Sequence, residues 1–219
     1  MNITGLIIGI KNKGDANRVA EILTAEHGIV YVFASGARRL HSKFMSITNI
    51  LTIVSLECSA NGELLLLKDG RCLGGFYNIV NDVNKFILAA DVVKNVKIAV
   101  QNSEEASKLY SLLLTYMYSV DSMNAFDEDH EKVMSITVKL YIYMLCYLGY
   151  DVMQIAENIK IQKNNSSLIN VCTEIKGMKI SESMTSCKTL QNAVQAYRLL
   201  RWVYSEQLDM QLEDADILV

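Results

Sequence analysis

Between Gly5 and Lys43 the chain alternates short apolar runs with tight polar breaks, and this order restricts what its N-terminal part can become. An apolar strand Gly5–Ile10 meets a polar break at Lys11–Asp15. A second strand covers Arg18–Thr24, and His27-Gly28 makes a tight turn. A third strand, Ile29–Ala34, runs into the glycine-basic cluster Gly36-Ala37-Arg38-Arg39. Runs this short, bounded by turn residues, are strands rather than helices. Two more strands, Leu51–Glu57 and Glu63–Leu67, are joined at Asn61-Gly62. Asn-Gly between apolar runs marks a hairpin, because both residues tolerate the positive φ of a type I′ turn. Gly74-Gly75 marks a bend or bulge after the last strand. Residues 1–80 are therefore expected to be all β.

After Asn81 the period changes. Phe86, Ala90, Val93, Val96 and Val100 recur at helical spacing, with Lys85, Asn95 and Gln101 at polar positions between them. Asn102-Ser103 is read as the N-cap of a second helix. Its first turn carries Glu104 and Glu105, and its stripe is Ala106, Leu109, Tyr110, Leu113 and Met117. A third helix is expected from Asp127 to Gly149, a residue suited to the position just past a helix end. Its middle is apolar on nearly all sides, which marks the central helix of a bundle. A short helix is expected around Val152–Ile159 and a polar loop at Lys163–Ser167. The last helix is marked by Leu190, Val194, Tyr197, Arg201 and Tyr204. The expected class is α+β: an OB-type barrel over residues 1–80, then a helical domain over 81–219 with an irregular region around 151–188.

Charge is distributed locally rather than globally. The net charge is −3, yet residues 11–43 hold six basic groups (Lys11, Lys13, Arg18, Arg38, Arg39, Lys43) against three acidic ones. The last fourteen residues hold five acidic groups and no basic one. A chain of this kind binds phosphates only through a patch. The most apolar stretch, Val133–Leu148, contains Lys139 and is too short for a membrane span. Met1–Gly9 has no basic leader and no long apolar run, so no secretory leader is expected. Five widely spaced cysteines are expected to be reduced thiols.

Several short runs, taken in order, resemble the bacterial RecO family. Gly14-Asp15-Ala16-Asn17-Arg18-Val19 looks like that family's Gly-acidic-small-x-Arg-apolar run. Thr24-Ala25-Glu26-His27-Gly28 looks like its Thr-Pro-Glu-His-Gly turn, with Ala25 for the proline. Ala34-Ser35-Gly36-Ala37-Arg38-Arg39 looks like its Ala-Lys-Gly-Ala-Arg-Arg run, with Ser35 for the lysine, and Ser42-Lys43-Phe44 like its Ser-Arg-Phe. The resemblance implies an N-terminal OB-type barrel, a fold common among nucleic-acid binders. It implies a repair and recombination mediator that is not an enzyme. Such a protein would bind single- and double-stranded DNA, promote strand annealing and assist loading of RecA. The implied partners are RecR and the C-terminal tail of the single-strand-binding protein. The implied location is cytoplasmic and nucleoid-associated, and no membrane association is expected. Lys11, Lys13, Arg18, Arg38, Arg39 and Lys43 are the candidate DNA contacts, and the alternative for them is an ordinary solvated cluster.

Many RecO-like proteins carry a four-cysteine zinc site after the central helix. Here only Cys172 and Cys187 fall in that region, and no CxxC pair exists. A structural zinc site needs four Cys or His ligands, so none is expected, and no other cofactor either. Asp127-Glu128-Asp129-His130-Glu131 invites a metal or nuclease reading, but an acid-rich helix start is the favoured explanation. No GxxxxGK[ST] loop is present to support ATP use. Tyr31 and Phe33 share one face of their strand, opposite Val30, Val32 and Ala34. If the valine face fills the barrel, the aromatics either stack on bases or pack against the helical domain. A second class of function remains open, an interaction adaptor with a RecO-like fold and weak or no DNA binding. The chain's last residues, Leu212–Val219, place acids before apolar residues and resemble the tail that RecO-like proteins capture.

Overall fold

A computed structural model describes residues 1–62, 64–101, 105–155, 157, 173 and 193–212. The chain divides into two compact units, Met1–Tyr77 with Val100–Tyr110, and Asn78–Ala99 with Ser111–Val219.

The first unit is built on a closed barrel of five strands in the order β1-β2-β3-β5-β4. The strands are β1 (Asn2–Lys13), β2 (Asn17–Thr24), β3 (Gly28–Ala34), β4 (Thr52–Asn61) and β5 (Leu64–Gly75). β1 pairs antiparallel with both β2 and β4, and a parallel pairing of Val32 with Leu65 and Phe33 with Leu66 closes the ring. A long strand paired on both edges of a small closed barrel has to bend. β1 does so at a bulge between Ile7 and Gly9. Gly5 lets β2 approach closely, since a Cβ there would lie 2.4 Å from the Leu23 carbonyl oxygen. The interior is filled by Ile3, Ile7, Ala20, Ile22, Val32, Ala34, Val54, Leu56 and their neighbours. The valine face of β3 does fill the barrel, and Tyr31 and Phe33, on the other face, are half-buried.

The strands run longer than the hydrophobic pattern suggests. β1 continues through Lys11 to Lys13, because pairing at the barrel rim (Lys11 with Val19, Lys13 with Asn17) needs no apolar side chain. A hairpin does join β4 and β5, but one residue later than expected: Asn61 still pairs with Leu64, and the turn begins at Gly62, φ 62°. β5 extends to Gly75, a length the sequence hides because two register shifts break its period of two. One shift adds Lys68 opposite Glu57 and Cys58, and the other adds Leu73 opposite Ile53 and Val54.

The helices are α1 (Tyr77–Asn81), α2 (Val83–Gln101), α3 (Ala106–Asp121), α4 (Phe126–Tyr147) and α5 (Ala193–Leu208). The expected N-cap Asn102-Ser103 lies outside the described residues, as do Leu190 and the polar loop Lys163–Ser167. Of the expected Val152–Ile159 helix, Val152–Ile155 is helical and the rest lies largely outside the description. α4 is the buried helix its composition implies, with every residue from Val133 to Ile142 inaccessible. It ends as Gly149 predicts, at φ 86°. The Gly149 N–H donates to the Cys146 carbonyl at 3.1 Å and the Tyr150 N–H to Leu145 at 3.0 Å, the paired bonds of a Schellman cap.

The buried face of α2 needs correction. Lys85, Asp91 and Asn95 are buried while Ala90 is exposed. Each of the three makes hydrogen bonds, although Asn95 Oδ1 is buried without a partner among the described residues. Lys85 Nζ donates to the carbonyls of Val120 at 3.2 Å and Met123 at 2.8 Å, where a cation suits the end of α3. Asp91 accepts from Tyr141 Oη at 2.8 Å, Tyr197 Oη at 3.4 Å and Asn95 Nδ2 at 3.1 Å. Burial pushes both phenols up from their ordinary range, so they remain protonated donors. A purely apolar stripe cannot reveal such a network, which forms only when three helices meet.

Candidate nucleic-acid interface

The two glycine-bearing runs near the N-terminus are far apart in sequence and meet at one end of the barrel. The β1–β2 turn, Gly14–Ala16, has Gly14 at φ 61°. The connection after β3 lies against it. The Gly36 N–H donates to Asn17 Oδ1 at 2.9 Å, the Arg38 N–H to the Ala16 carbonyl at 2.9 Å, and Arg38 Nη1 to the Gly14 carbonyl at 3.3 Å. Ala37 is fully buried in the barrel core and anchors the loop between the exposed residues on either side. The result is a stitched pair of loops that holds Arg38 and Arg39 in solvent next to the turn that follows Lys13.

The six candidate cations separate into three kinds. Lys13, Arg38 and Arg39 are exposed, and among the described residues no carboxylate lies within ion-pairing distance of any of them. Lys11 and Lys43 are exposed but neutralised. Lys11 Nζ is 3.2 Å from Glu21, whose side chain is only 4% exposed. Lys43 Nζ is 2.9 Å from Asp69 and 5.1 Å from the Phe44 ring centre. The Lys43 ammonium holds the Asp69 carboxyl below the usual range. Arg18 is spent on structure, with Nη1 3.0 Å from the Thr48 carbonyl, 3.2 Å from Thr48 Oγ1 and 3.2 Å from Asn49 Oδ1. It ties β2 to the 3-10 turn Ser46–Thr48. Two exposed cations were not singled out from the sequence, Lys68 and Arg71 on β5, which flank Asp69. The bulge at Lys68 hides them, because it breaks the alternation that would have set them on a face.

The Thr24–Gly28 turn is structural. Thr24 Oγ1 accepts from the His27 N–H at 2.9 Å and donates to the Gly28 carbonyl at 3.0 Å. Gly28 has φ 61° and faces Val100 and Ala106, 3.7 and 3.9 Å from where a Cβ would stand. The acidic run at the start of α4 disperses. Asp129 is buried and accepts from the Asn124 N–H at 3.1 Å and from Lys132, whose hydrogen bond holds its carboxyl below the usual range. Asp127, Glu128 and Glu131 face solvent. Among the described residues no group of three His, Cys, Asp or Glu side chains converges as metal ligands, and Cys172 and Cys187 lie outside the described residues. No helix among the described residues is long and apolar enough to cross a membrane.

Residues 1–76, the barrel and both stitched loops, match the family model described as Recombination protein O N terminal. A protein of Anaeromyxobacter sp. (strain K) named DNA repair protein RecO is 27% identical over 124 residues, covering 56% of this chain and 49% of that protein. Over its first 76 residues the chain thus resembles the RecO family. The protein of the same name from Acetivibrio thermocellus is 25% identical over 118 residues, 54% of this chain and 47% of its own length. The RecO of Caldanaerobacter subterraneus subsp. tengcongensis is 21% identical over 174 residues, 80% of this chain and 67% of its own. The chain spans about half the length of most of the curated RecO proteins it matches.

Proposed function

We propose that this RecO-like chain acts in DNA repair by holding DNA at the stitched end of its barrel. Lys13, Arg38 and Arg39 neutralise backbone phosphates, and Lys11 and Lys43 extend the patch when Glu21 and Asp69 yield. Single and double strands are both substrates of such a surface, because phosphates carry the contact. The role that follows is passive mediation. Two strands brought together with their repulsion screened anneal by their own pairing energy, and the chain supplies no bond chemistry. Assistance to RecA loading, and RecR and the single-strand-binding protein's tail as partners, follow from the family and complete the proposal.

The observation that supports it best is the cluster of three cations without carboxylate partners at a loop pair held by three hydrogen bonds. Guanidinium groups with no carboxylate partner are the ones available to phosphates. A fluorescent single strand titrated at several salt concentrations, with and without magnesium, tests the reading. Salt-sensitive binding without cleavage, and annealing without ATP, are expected. The pairing of Lys11 and Lys43 with Glu21 and Asp69 favours a second reading, an adaptor that kept the fold and lost strong DNA binding. No binding at low salt selects it, and magnesium-dependent cleavage selects a nuclease instead.

A further inference from the structure

The loop that carries Arg38 and Arg39 also carries Leu40, whose 83% exposure exceeds that of any other large apolar side chain among the described residues. A lone surface leucine needs no explanation. This one is held out by a built loop. Behind it Ala37 is locked in the barrel core. Around it the Arg39 N–H donates to the Gly36 carbonyl at 3.0 Å, the Ser42 N–H to Arg39 at 3.0 Å and the Met45 N–H to Ser42 at 3.1 Å. Leu40 is the second residue of the turn Arg39–Ser42. The third, His41, has φ 64°, a conformation glycine would occupy at less cost. The backbone thus adopts an unfavourable angle beside the leucine, and the leucine directly follows two cations that have no carboxylate partners.

We infer that Leu40 is an apolar wedge that inserts between neighbouring bases of a DNA strand whose phosphates Arg38 and Arg39 hold. The inference rests on reading this end of the barrel as a DNA interface. Nucleic-acid-binding proteins use Leu, Phe, Ile or Met in this way, beside cations that fix the backbone. Charge complementarity selects the occupant, since an apolar tip directly after two arginines without carboxylate partners suits a strand that offers base faces beside anionic phosphates. Separating a base step costs least where it is already unpaired. The wedge therefore favours single strands and mismatched segments over intact duplex and leaves bases unstacked for a second strand to pair with.

The test uses the full chain and a mixed-sequence oligonucleotide carrying one 2-aminopurine, whose emission rises when its stacking is broken. The wild type is expected to bind and to raise the emission. Leu40→Ala is expected to bind about five- to tenfold more weakly, on the scale of a lost base contact. It should keep the wild-type salt slope, because no phosphate contact is removed, and should lose the emission rise. Leu40→Trp is expected to recover binding, and its indole emission should be quenched by the strand. Both variants should melt with the wild type, since the side chain touches little. If the wild type binds and Leu40→Ala matches it in affinity and in 2-aminopurine response, the wedge is overturned while the DNA interface stands. Loss of binding to a protein partner alone has the same meaning. If the wild type binds no DNA at low salt, the interface itself is overturned and the wedge with it.

Discussion

Replacing Arg38 and Arg39 together with alanine separates cations that face solvent from cations already in use. Each phosphate neutralised contributes about 0.7 to the slope of log affinity against log salt on a single strand, and about 0.9 on duplex. Three unpaired cations, Lys13, Arg38 and Arg39, therefore predict a slope of about 2.1 on a single strand and 2.7 on duplex. Raising salt from 50 to 200 mM should then weaken binding about 20- to 40-fold. The double replacement should remove about 1.4 units on a single strand and 1.8 on duplex. Lys11→Ala and Lys43→Ala provide the contrast. Each frees a carboxylate that its ammonium now screens, 3.2 Å away at Glu21 and 2.9 Å away at Asp69. Each should lower affinity at low salt through that uncovered negative charge, yet change the slope by less than about 0.5. Fluorescence anisotropy at five salt concentrations resolves these differences. Equal slope changes for the two sets of variants would refute the division of the cations. An unchanged slope in a folded Arg38→Ala, Arg39→Ala protein would remove the interface from this end of the barrel.

Arg18→Ala should act on stability instead, lowering it by about 1–3 kcal/mol as the buried Thr48 loses its partner, with the salt slope nearly intact; thermal melting read beside the titration checks this. Asp91→Ala should leave the Tyr141 and Tyr197 hydroxyls without their acceptor and cost about 3 kcal/mol or more, a fall of about 6–12 °C in melting temperature, while Tyr197→Phe should cost about 1 kcal/mol. A melt of Asp91→Ala within about 2 °C of wild type would refute the network's weight. The purified protein should carry no stoichiometric zinc, and a chelator should leave its melting unchanged; metal analysis finding about one zinc per chain would overturn that.

What could be read from the sequence followed how local each cause was. The meander of β1 to β3 and the Gly149 cap are set by residues a few positions apart and formed as expected, while the β4–β5 hairpin formed one residue beyond the Asn61-Gly62 turn. β5 was cut short because its two bulged residues, Lys68 and Leu73, erase the alternation that marks a strand. The buried face of α2 was misjudged because Lys85, Asp91 and Asn95 find their partners on α3, α4 and α5, and a single helix cannot show that. The candidate site divides in the same way. Counting charges finds Arg38 and Arg39. It does not reveal that Arg18 is bound to the turn at Thr48, or that Asn17 and Gly36 join the two loops, because these are contacts between segments some twenty to thirty residues apart.

The acidic end of the chain can be tested only if it is cut at the right residue. After α5 the chain turns at Asp209, φ 52°, and folds back. The Met210 N–H donates to the Tyr204 carbonyl at 3.1 Å, Lys94 Nζ reaches the Gln211 carbonyl at 3.3 Å, and Arg201 Nε reaches that of Leu212 at 3.1 Å. Met210 and Leu212 are buried. A deletion that removed Leu212 would therefore expose its neighbours and cost about 1.5–3 kcal/mol, mixing instability with any effect of charge. Ending the chain at Leu212 removes Glu213, Asp214, Asp216 and the closing Ile217-Leu218-Val219 and keeps every contact just described. Three carboxylates tethered to the protein repel DNA, and a tethered segment competes for a cationic surface at roughly millimolar effective concentration. The shortened chain should bind a single strand about two- to fivefold more tightly at 10 mM salt, where charges act over about 30 Å. The advantage should fade at 150 mM, where the range falls to about 8 Å. Its melting temperature should equal that of the full chain, whereas a chain ending at Gln211 should melt lower. Equal affinities of the full chain and the Leu212-ended chain at 10 mM salt would show that the acids are merely solvated and hold no share of the DNA surface.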